Sequence, residues 1–192
     1  LAASRGQLPA AIELMQRTIT DAVQTLGADN DELGTLHFNL GRMYMLQGRH
    51  DQAAASLERS LALEQQRRGP THPALAEVLA MIAEIEVHRQ RAPAAITHLR
   101  RARSLAGTQR HRLRAEVGLV HAQLHIDCDL ATAQRDAHKL IDAARPEAPS
   151  IPGLSDDLDR MAQLVEGWRD DEHLPACRPT PNHRPAQPDS PR

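Results

Sequence analysis

The sequence predicts an all-α protein built as an array of helical hairpins. Only 2% of its 192 residues are aromatic, so a core must be assembled from aliphatic and small side chains, which suits closely packed helices. Apolar residues recur three or four positions apart on both sides of Gly48. The pattern returns after 42 residues, a period that is typical of solenoids.

The best-defined hairpin lies between Gly34 and Pro73. Its first helix carries an apolar face and stops at Gly48, and its second helix carries a face rich in small residues and stops at Gly69-Pro70. The two faces consist of Leu36, Leu40, Met43 and Leu46, and of Ala53, Ala54, Leu57, Ser60 and Leu61. Neither helix has enough apolar surface to be stable alone, so the hairpin must stack on another element.

Copies of this hairpin lie on either side of it. Equivalent residues are 42 positions apart in three sets: Ala11, Ala53 and Ala95; Met15, Leu57 and Leu99; and the glycine pairs Gly6/Gly48 and Gly27/Gly69. The pattern Leu40-Gly41-x-x-Tyr44-x-x-x-Gly48-x-x-x-x-Ala53-x-x-x-Leu57 resembles the tetratricopeptide repeat. The linker Gly69-Pro-Thr-His-Pro73 is similar to the longer repeats of kinesin light chains and bacterial multi-repeat proteins. The resemblance covers roughly residues 1–145 and implies a right-handed superhelical array.

The period divides the chain into four repeats. Residues 1–31 are predicted to be a truncated repeat, in which Gly6 forms the turn before a helix from Leu8 to Leu26, so the sequence is expected to be a fragment of a longer chain. Residues 32–73 and 74–106 follow, with Pro93 in the first turn of a helix. Residues 107–145 form a degenerate repeat, in which Ala115-Glu116-Val117 corresponds to Ala76-Glu77-Val78.

The C-terminal part does not follow the period. Residues 154–171 are predicted to form a capping helix that begins with Ser155 as its N-cap and has Asp156 and Asp157 in its first turn. Its apolar face consists of Leu158, Met161, Leu164, Val165 and Trp168. Residues 172–192 are proline-rich without apolar periodicity, which predicts a disordered tail.

Composition limits the compartment and the partners. A net charge of −2 argues against attraction to nucleic acid or to an anionic membrane. No apolar run is long enough to cross a membrane, and Cys128 and Cys177 form no disulfide framework, so we expect a cytoplasmic protein. Lys139 is the only lysine among 23 basic residues, which indicates a GC-rich, bacterial coding sequence.

No catalytic or cofactor motif is present, so we predict neither an enzyme nor a bound cofactor or metal in this segment. His121 and His125 share a helix face and could hold an ion with Asp129, but solvated or groove-lining side chains explain the spacing better. Cys128 lies beside them and could be a reactive thiol, although no activating base is specified.

Two groups of charged residues have a simple explanation. The arginines at 100, 101, 103, 110, 112 and 114 could bind phosphate or an acidic peptide, but no aromatic residues are interleaved, so a solvated face is preferred. Asp156-Asp157 and Asp170-Asp171-Glu172 are expected at the two ends of the last helix, not as an acid/base pair.

The resemblance implies a ligand groove on the concave face, which the first helix of each hairpin lines. It assigns to this groove Ala80 and nine site residues: Thr35, Phe38, Asn39, Arg42, Met45, Glu77, Met81, Glu84 and His88. The amide of Asn39 offers a donor and an acceptor to a peptide backbone, and Arg42 can bind a carboxylate. Met81 and Glu84 replace Asn39 and Arg42 one repeat later, so a full carboxylate clamp is absent.

The resemblance therefore implies a protein–protein interaction scaffold that binds a peptide or helix in the groove. An alternative is that the array is the C-terminal recruiting segment of a larger bacterial signalling enzyme, such as a serine/threonine protein kinase, or of a transcriptional regulator. Both contexts would require motifs outside this sequence, and self-association is left open as a further role.

Overall fold

The computed structural model describes residues 2–28, 30–127, 129–151 and 153–168, with side chains from residue 7 onward. Within these ranges the chain is all-α and contains no strand. The elements are α1 (Ala2–Leu26), α2 (Leu33–Leu46), α3 (His50–Arg68), α4 (Leu75–His88), α5 (Ala92–Leu105), α6 (Gln109–Asp127), α7 (Leu130–Ala144), a 3₁₀ helix (Arg145–Ser150) and α8 (Leu154–Gly167). The predicted all-α solenoid is confirmed.

The helices pack in sequence order. α2 pairs with α3, α4 with α5 and α6 with α7, while α3 packs on α4 and α5 on α6 to join successive hairpins. α1 packs on α2 at one end of the array, and α8 packs on α7 and α6 at the other. The core is accordingly a series of clusters along the array, each shared by neighbouring helices. The division into four repeats and a capping helix stays a prediction.

The breaks between helices follow the predicted glycines. Gly27, Gly48 and Gly69 all have positive φ values, of 88°, 70° and 90°, which glycine adopts without steric cost. Gly48 lies between α2 and α3, and Gly69 immediately follows α3. Pro93 lies in the first turn of α5, where its missing N–H costs no helical hydrogen bond, as predicted.

The contact at the centre of the hairpin explains the small residues. A Cβ added to Gly41 would lie 2.7 Å from Cγ of Leu57 and 3.3 Å from the carbonyl oxygen of Ala53. Leu57 and Ala53 are fully buried. Ala83, which stands 42 residues after Gly41, is fully buried in a cluster with Ala95 and Leu99. The predicted close approach of the two helices is therefore confirmed in both middle hairpins.

The predicted turn at Gly6 is wrong, because α1 runs without interruption from Ala2 to Leu26 and includes Pro9. Glycine permits a turn but does not impose one. Continuing the helix through Gly6 satisfies the backbone hydrogen bonds of these residues locally. Pro9 removes one backbone donor but has a helical φ, so the helix tolerates it.

The predicted N-cap of the last helix is also wrong, although the predicted range begins at residue 154. α8 begins at Leu154, and its N-cap is Gly153, with φ 76° and no capping side chain. Ser155 therefore lies inside the helix, while Asp156 and Asp157 occupy its first turn as predicted. The fully buried Leu154 explains the earlier start, because it anchors the first turn in the core. Residues 169–192, which include the rest of the predicted helix and the tail, lie outside the described residues.

The 39-residue correspondence between α4 and α6 does not hold for side-chain positions. Val78 packs in a cluster with residues of α1, α2 and α3, which precede α4 in the array. Val117, its predicted equivalent, packs with residues of α7 and α8, which follow α6. Only Ala106–Thr108 separate α5 from α6, whereas six residues separate α3 from α4, and α6 is also the longer helix. α6 consequently presents a different face to its neighbours.

Candidate groove between the first helices

A large groove lies between the first helices of the hairpins and α8. Its cavity has a volume of about 860 Å³. The principal lining residues are Arg42 from α2; Glu77, Ala80, Glu84 and His88 from α4; Arg110, Arg114, Val117, Gly118 and His121 from α6; and Met161, Leu164 and Trp168 from α8. The groove therefore has an apolar interior and charged side chains along its edges.

Four of the nine site residues that the resemblance implied line this cavity: Arg42, Glu77, Glu84 and His88. Ala80 lines it as well. Thr35, Phe38, Asn39 and Met45 do not line it; Thr35 is exposed, and the other three are half-buried. Met81 packs in the core with 5% of its surface exposed, so it offers little area to a ligand. Whether any of the nine contacts a ligand stays a prediction.

Small residues let the cavity extend between α4 and α6. A Cβ added to Gly118 would lie 2.8 Å from Cδ2 of Leu99, a residue of α5 that lines the bottom of the groove. Ala80 and Ala83 line the facing helix. Gly118 therefore lets α6 pack closely against Leu99, and the small side chains of Ala80 and Ala83 face this part of the cavity.

Charged side chains at the α6–α8 edge form ion pairs with one another. Arg110 and Arg160 both form ion pairs with the buried carboxylate of Asp157. Burial opposes ionisation of Asp157, but hydrogen bonds from Arg110 and Arg160 outweigh it and hold the pKa of this carboxyl below its usual range. The hydrogen bond to Asp157 also raises the pKa of Arg110. These ion pairs hold α8 against α6, and the two guanidiniums and one carboxylate together carry a net charge of +1.

The charged side chains farther from α8 form weaker ion pairs or none with other described residues. Nη2 of Arg114 lies 3.6 Å from Oε2 of Glu84, a weak and exposed ion pair. Arg42 forms no ion pair with another described residue, and its guanidinium lies 5.8 Å from the ring centroid of Phe38. Arg42 is therefore the guanidinium of this groove that is most open to a carboxylate.

Trp168 forms one end of the groove and was not among the predicted site residues. Its ring stacks on His121 with centroids 4.7 Å apart and an interplanar angle of 8°. Only 2% of Trp168 is exposed, and it packs with Leu158 and Val165 of α8. The sequence placed Trp168 on the apolar face of the last helix. That this face also closes a groove depends on the packing of α8 against α6, which no local pattern shows.

No group of three or more potential metal ligands occurs among the described residues. The rings of His121 and His125 lie edge to face with centroids 5.1 Å apart. Asp129 has a different role, because its carboxylate accepts a hydrogen bond from the backbone N–H of Thr132 and caps α7. That backbone hydrogen bond lowers the pKa of Asp129. Cys128, the thiol considered beside these residues, lies outside the described part of the chain.

None of the described helices is long and apolar enough to span a membrane.

Comparison with known proteins identifies the repeats. A family model described as tetratricopeptide repeat matches residues 1–63 and 32–107, which together exceed half of the chain. Two solved structures are similar in fold: a putative kinesin light chain from Podosopora anserina with nearly identical TPR-like repeats, and a single-substitution variant of it. The first is 19% identical with a TM-score of 0.60, and the second is 20% identical with a TM-score of 0.61.

Each of these similarities covers 91% of this chain and 87% of the other chain. A search of curated proteins finds no match. The sequence identities are low, so the solved structures establish the fold alone, while the family model matches the residues of the repeats themselves. The chain therefore belongs to the tetratricopeptide repeat family.

Proposed function

We propose that this chain is a protein-interaction module that binds a peptide or helix of a partner protein in the groove between α4, α6 and α8. Tetratricopeptide repeats in general mediate protein–protein interaction. The observation that carries the proposal is the cavity of about 860 Å³, whose apolar interior and charged edges suit an amphipathic segment. Its mechanism is binding, with no bond made or broken.

The proposed site lies closer to the C-terminus than the groove that the resemblance implied, because the cavity extends to α6 and α8. The predicted contacts on α2 and α4 are joined by Arg114 and Gly118 on α6 and by Leu164 on α8. Leu164 is an exposed leucine, with 56% of its surface accessible, and it lines the groove. We expect Leu164 to contact the ligand directly, because an exposed apolar side chain in a concave site gains the most from being covered.

A peptide selection tests the proposal. Random peptides displayed on phage are selected on the immobilised full chain, and enriched peptides are measured against three purified proteins by fluorescence anisotropy. The groove variant carries Glu84→Arg and Leu164→Asp, both at exposed positions that tolerate substitution. The control carries Leu46→Asp, since Leu46 is 75% exposed and does not line the cavity.

We expect peptides that bind the wild-type chain and the control equally, but that bind the groove variant at least about tenfold more weakly, a loss of about 1.4 kcal/mol. Peptides that bind all three proteins equally would show that binding occurs outside the groove. Failure to enrich any peptide would refute the proposal. The cytoplasmic location and the larger signalling or regulatory context considered from the sequence stay predictions.

A further inference from the structure

Positive charge is concentrated in one part of the chain. Between Val87 and Ala115 there are eight arginines and no aspartate or glutamate, so this stretch has a formal charge of +8. The whole chain carries −2, which leaves −10 for the rest of it. The small net charge therefore conceals one strongly basic stretch.

Only half of these eight arginines have a carboxylate partner. Ion pairs with carboxylates elsewhere in the array are formed by Arg89, Arg91, Arg110 and Arg114. No ion pair with any described residue is formed by Arg100, Arg101, Arg103 and Arg112. Three of this second group lie in the last two turns of α5, a helix that contains no acidic residue. Their uncompensated charge is confined to about 5 Å along the helix axis.

The end of α3 adds two more arginines to this part of the surface. Nη2 of Arg101 donates to the carbonyl oxygen of Pro70 at 3.1 Å, and Pro70 lies two positions after Arg68, the last residue of α3. Arg67 and Arg68 both pair with the carboxylate of Glu64. Glu64 is buried, and its single charge balances only one of the two guanidiniums. The ends of α3 and α5 therefore share a surplus of positive charge.

These five residues form what we call the arginine surface: Arg67, Arg68, Arg100, Arg101 and Arg103. Four of them are exposed and Arg101 is half-buried, so their guanidiniums are accessible to a ligand. None of the five lines the groove. We propose that the arginine surface is a second binding site, which takes a short acidic segment of a partner protein through carboxylate–guanidinium hydrogen bonds. This proposal goes beyond the proposed function and does not depend on it.

The charge around the arginine surface favours a short segment over an extended polyanion. A nucleic-acid duplex or a membrane that covered this surface would extend past it and approach the acidic remainder of the chain, which would repel it. A segment of a few acidic residues can stay on the five arginines. The surplus of positive charge is thus local, and it suits a ligand of similar size.

The side chains on this surface also argue against nucleic acid and lipid. The three aromatic residues of the chain are Phe38 and Tyr44 in α2 and Trp168 after α8, so none stands beside these arginines to stack on a base. None of the large apolar side chains that the described residues expose lies in α3 or α5, so this surface has no anchor for a bilayer. An acidic protein segment remains the partner that fits.

Binding of a defined acidic peptide tests the proposal. A fluorescein-labelled peptide of six glutamates is titrated with the full chain at about 50 mM salt, where charge screening is weak, and its anisotropy is measured. In a chain carrying Arg100→Gln and Arg103→Gln, we expect the peptide to bind about fivefold more weakly, because two exposed ion pairs are lost. Neither arginine has an ion-pair partner among the described residues, so we expect the variant to keep its fold.

The control removes the same charge from another helix. It carries Arg135→Gln and Lys139→Gln, both at exposed positions of α7, and we expect its affinity to stay within about twofold of the wild type. An equal loss in both variants would show that the net charge attracts the peptide, and would overturn the proposal. An unchanged affinity in the α5 variant, or no binding to the wild type, would overturn it as well.

Hydrogen exchange of the wild-type chain locates the peptide without any substitution. Mass spectrometry is expected to show slower amide exchange at the ends of α3 and α5 when the hexaglutamate peptide is bound, and no change in α4 or α8. Protection confined to the groove helices would overturn the proposal. The groove variant Glu84→Arg with Leu164→Asp is expected to bind the peptide at least as tightly as the wild type, and a loss there would likewise place the peptide in the groove.

Competition separates an acidic protein segment from other anions. A 20-base-pair DNA duplex and vesicles containing phosphatidylserine are each added to the labelled complex, at the same concentration of negative charge as unlabelled hexaglutamate. We expect both to displace less labelled peptide than the unlabelled peptide does. A duplex or a vesicle that displaces more would overturn the assignment to an acidic protein segment.

Discussion

The middle hairpins and the C-terminal part of the array fill their cores in different ways. In the middle hairpins a small residue on the first helix meets a leucine on the second, as in the contact of Gly41 with Leu57. The buried face of α7 consists mostly of alanine, and Ala137 stands 38 residues after Leu99. The missing volume is supplied from outside the hairpin by Leu154, Leu158 and Trp168, which pack in the same cluster.

This difference shows how a degenerate repeat can remain packed. When the second helix loses its large side chain, the hairpin can no longer fill its own interior, and an added helix must contribute the bulk. The family model stops matching at residue 107, just before α6. The C-terminal part is consequently less regular in sequence, yet its largest side chain is almost completely buried. The groove lies where these two kinds of packing meet.

The largest expected effect is the loss of Trp168. Trp168→Ala removes the aromatic side chain that closes the α6–α8 core, and we expect it to cost about 3–5 kcal/mol of unfolding free energy. Leu46→Ala is the control, since Leu46 is exposed. Guanidinium unfolding followed by circular dichroism gives both values. Equal stabilities would mean that α8 does not supply the missing volume.

The next effect tests the middle hairpin. Gly41→Leu forces a side chain against Leu57 and the backbone of Ala53, and we expect a loss of about 1–3 kcal/mol. Leucine at Gly167 is the control, because a Cβ added there has no atom within 4 Å. The two melting temperatures are compared by calorimetry. A Gly41→Leu variant with the same melting temperature as the wild type would contradict the close packing of α2 on α3.

A smaller effect is expected from alanine substitutions at Gly118 and Gly41, which compare the packing of α6 on α5 with that of α2 on α3. Gly118→Ala brings a Cβ to 2.8 Å from the terminal Cδ2 of Leu99, which can rotate away, whereas Gly41→Ala meets Cγ of Leu57 and a backbone oxygen. Alanine also favours the helix over glycine by up to about 1 kcal/mol. We expect Gly118→Ala to be close to neutral and Gly41→Ala to be destabilising in thermal unfolding. The reverse order would show that α5 and α6 are the more tightly packed pair.

The smallest expected effect is the dependence of stability on pH that His37 of α2 contributes. Burial, together with the nearby charge of Arg59, lowers the pKa of His37 from its usual 6.5. The unfolded chain therefore binds a proton more readily, so this contribution to stability is present above about pH 6.5 and is lost as the pH falls through the folded pKa. Between pH 7.5 and 5, His37→Gln should lose less stability than the wild type. Parallel pH profiles of the two melting temperatures would contradict this assignment.

Most of the fold could be predicted because its signals are local and repeated. The glycines at 27, 48 and 69 mark breaks that the structure contains. The predictions failed where a local signal competed with the surroundings. Gly6 was assigned the turn of its equivalents but lies in a continuous helix, and Ser155 was assigned a cap that the buried Leu154 displaces.

The candidate groove could be predicted only in part. Arg42, Glu77, Glu84 and His88 were assigned to it from the register of the first helices, and all four line the cavity. The contributions of α6 and α8 were missed. Val117 does not occupy the position that its 39-residue spacing from Val78 suggested, and α8 has no counterpart in the repeat. A repeat pattern assigns each residue to the same helix face as its equivalent one repeat earlier. The assignment fails where a helix is turned about its axis relative to that equivalent.

The sequence by itself determined that this chain is an array of helical hairpins, because a 42-residue period of small and apolar residues leaves stacked hairpins as the way to bury those faces. The residues of the repeats also match the tetratricopeptide repeat family. Only the tertiary structure decided where the groove lies. Its lining joins Arg42 to Trp168 across 126 positions of sequence, and no local periodicity encodes the angle at which α6 and α8 pack. That angle depends on how the whole array fills its volume, to which every helix contributes.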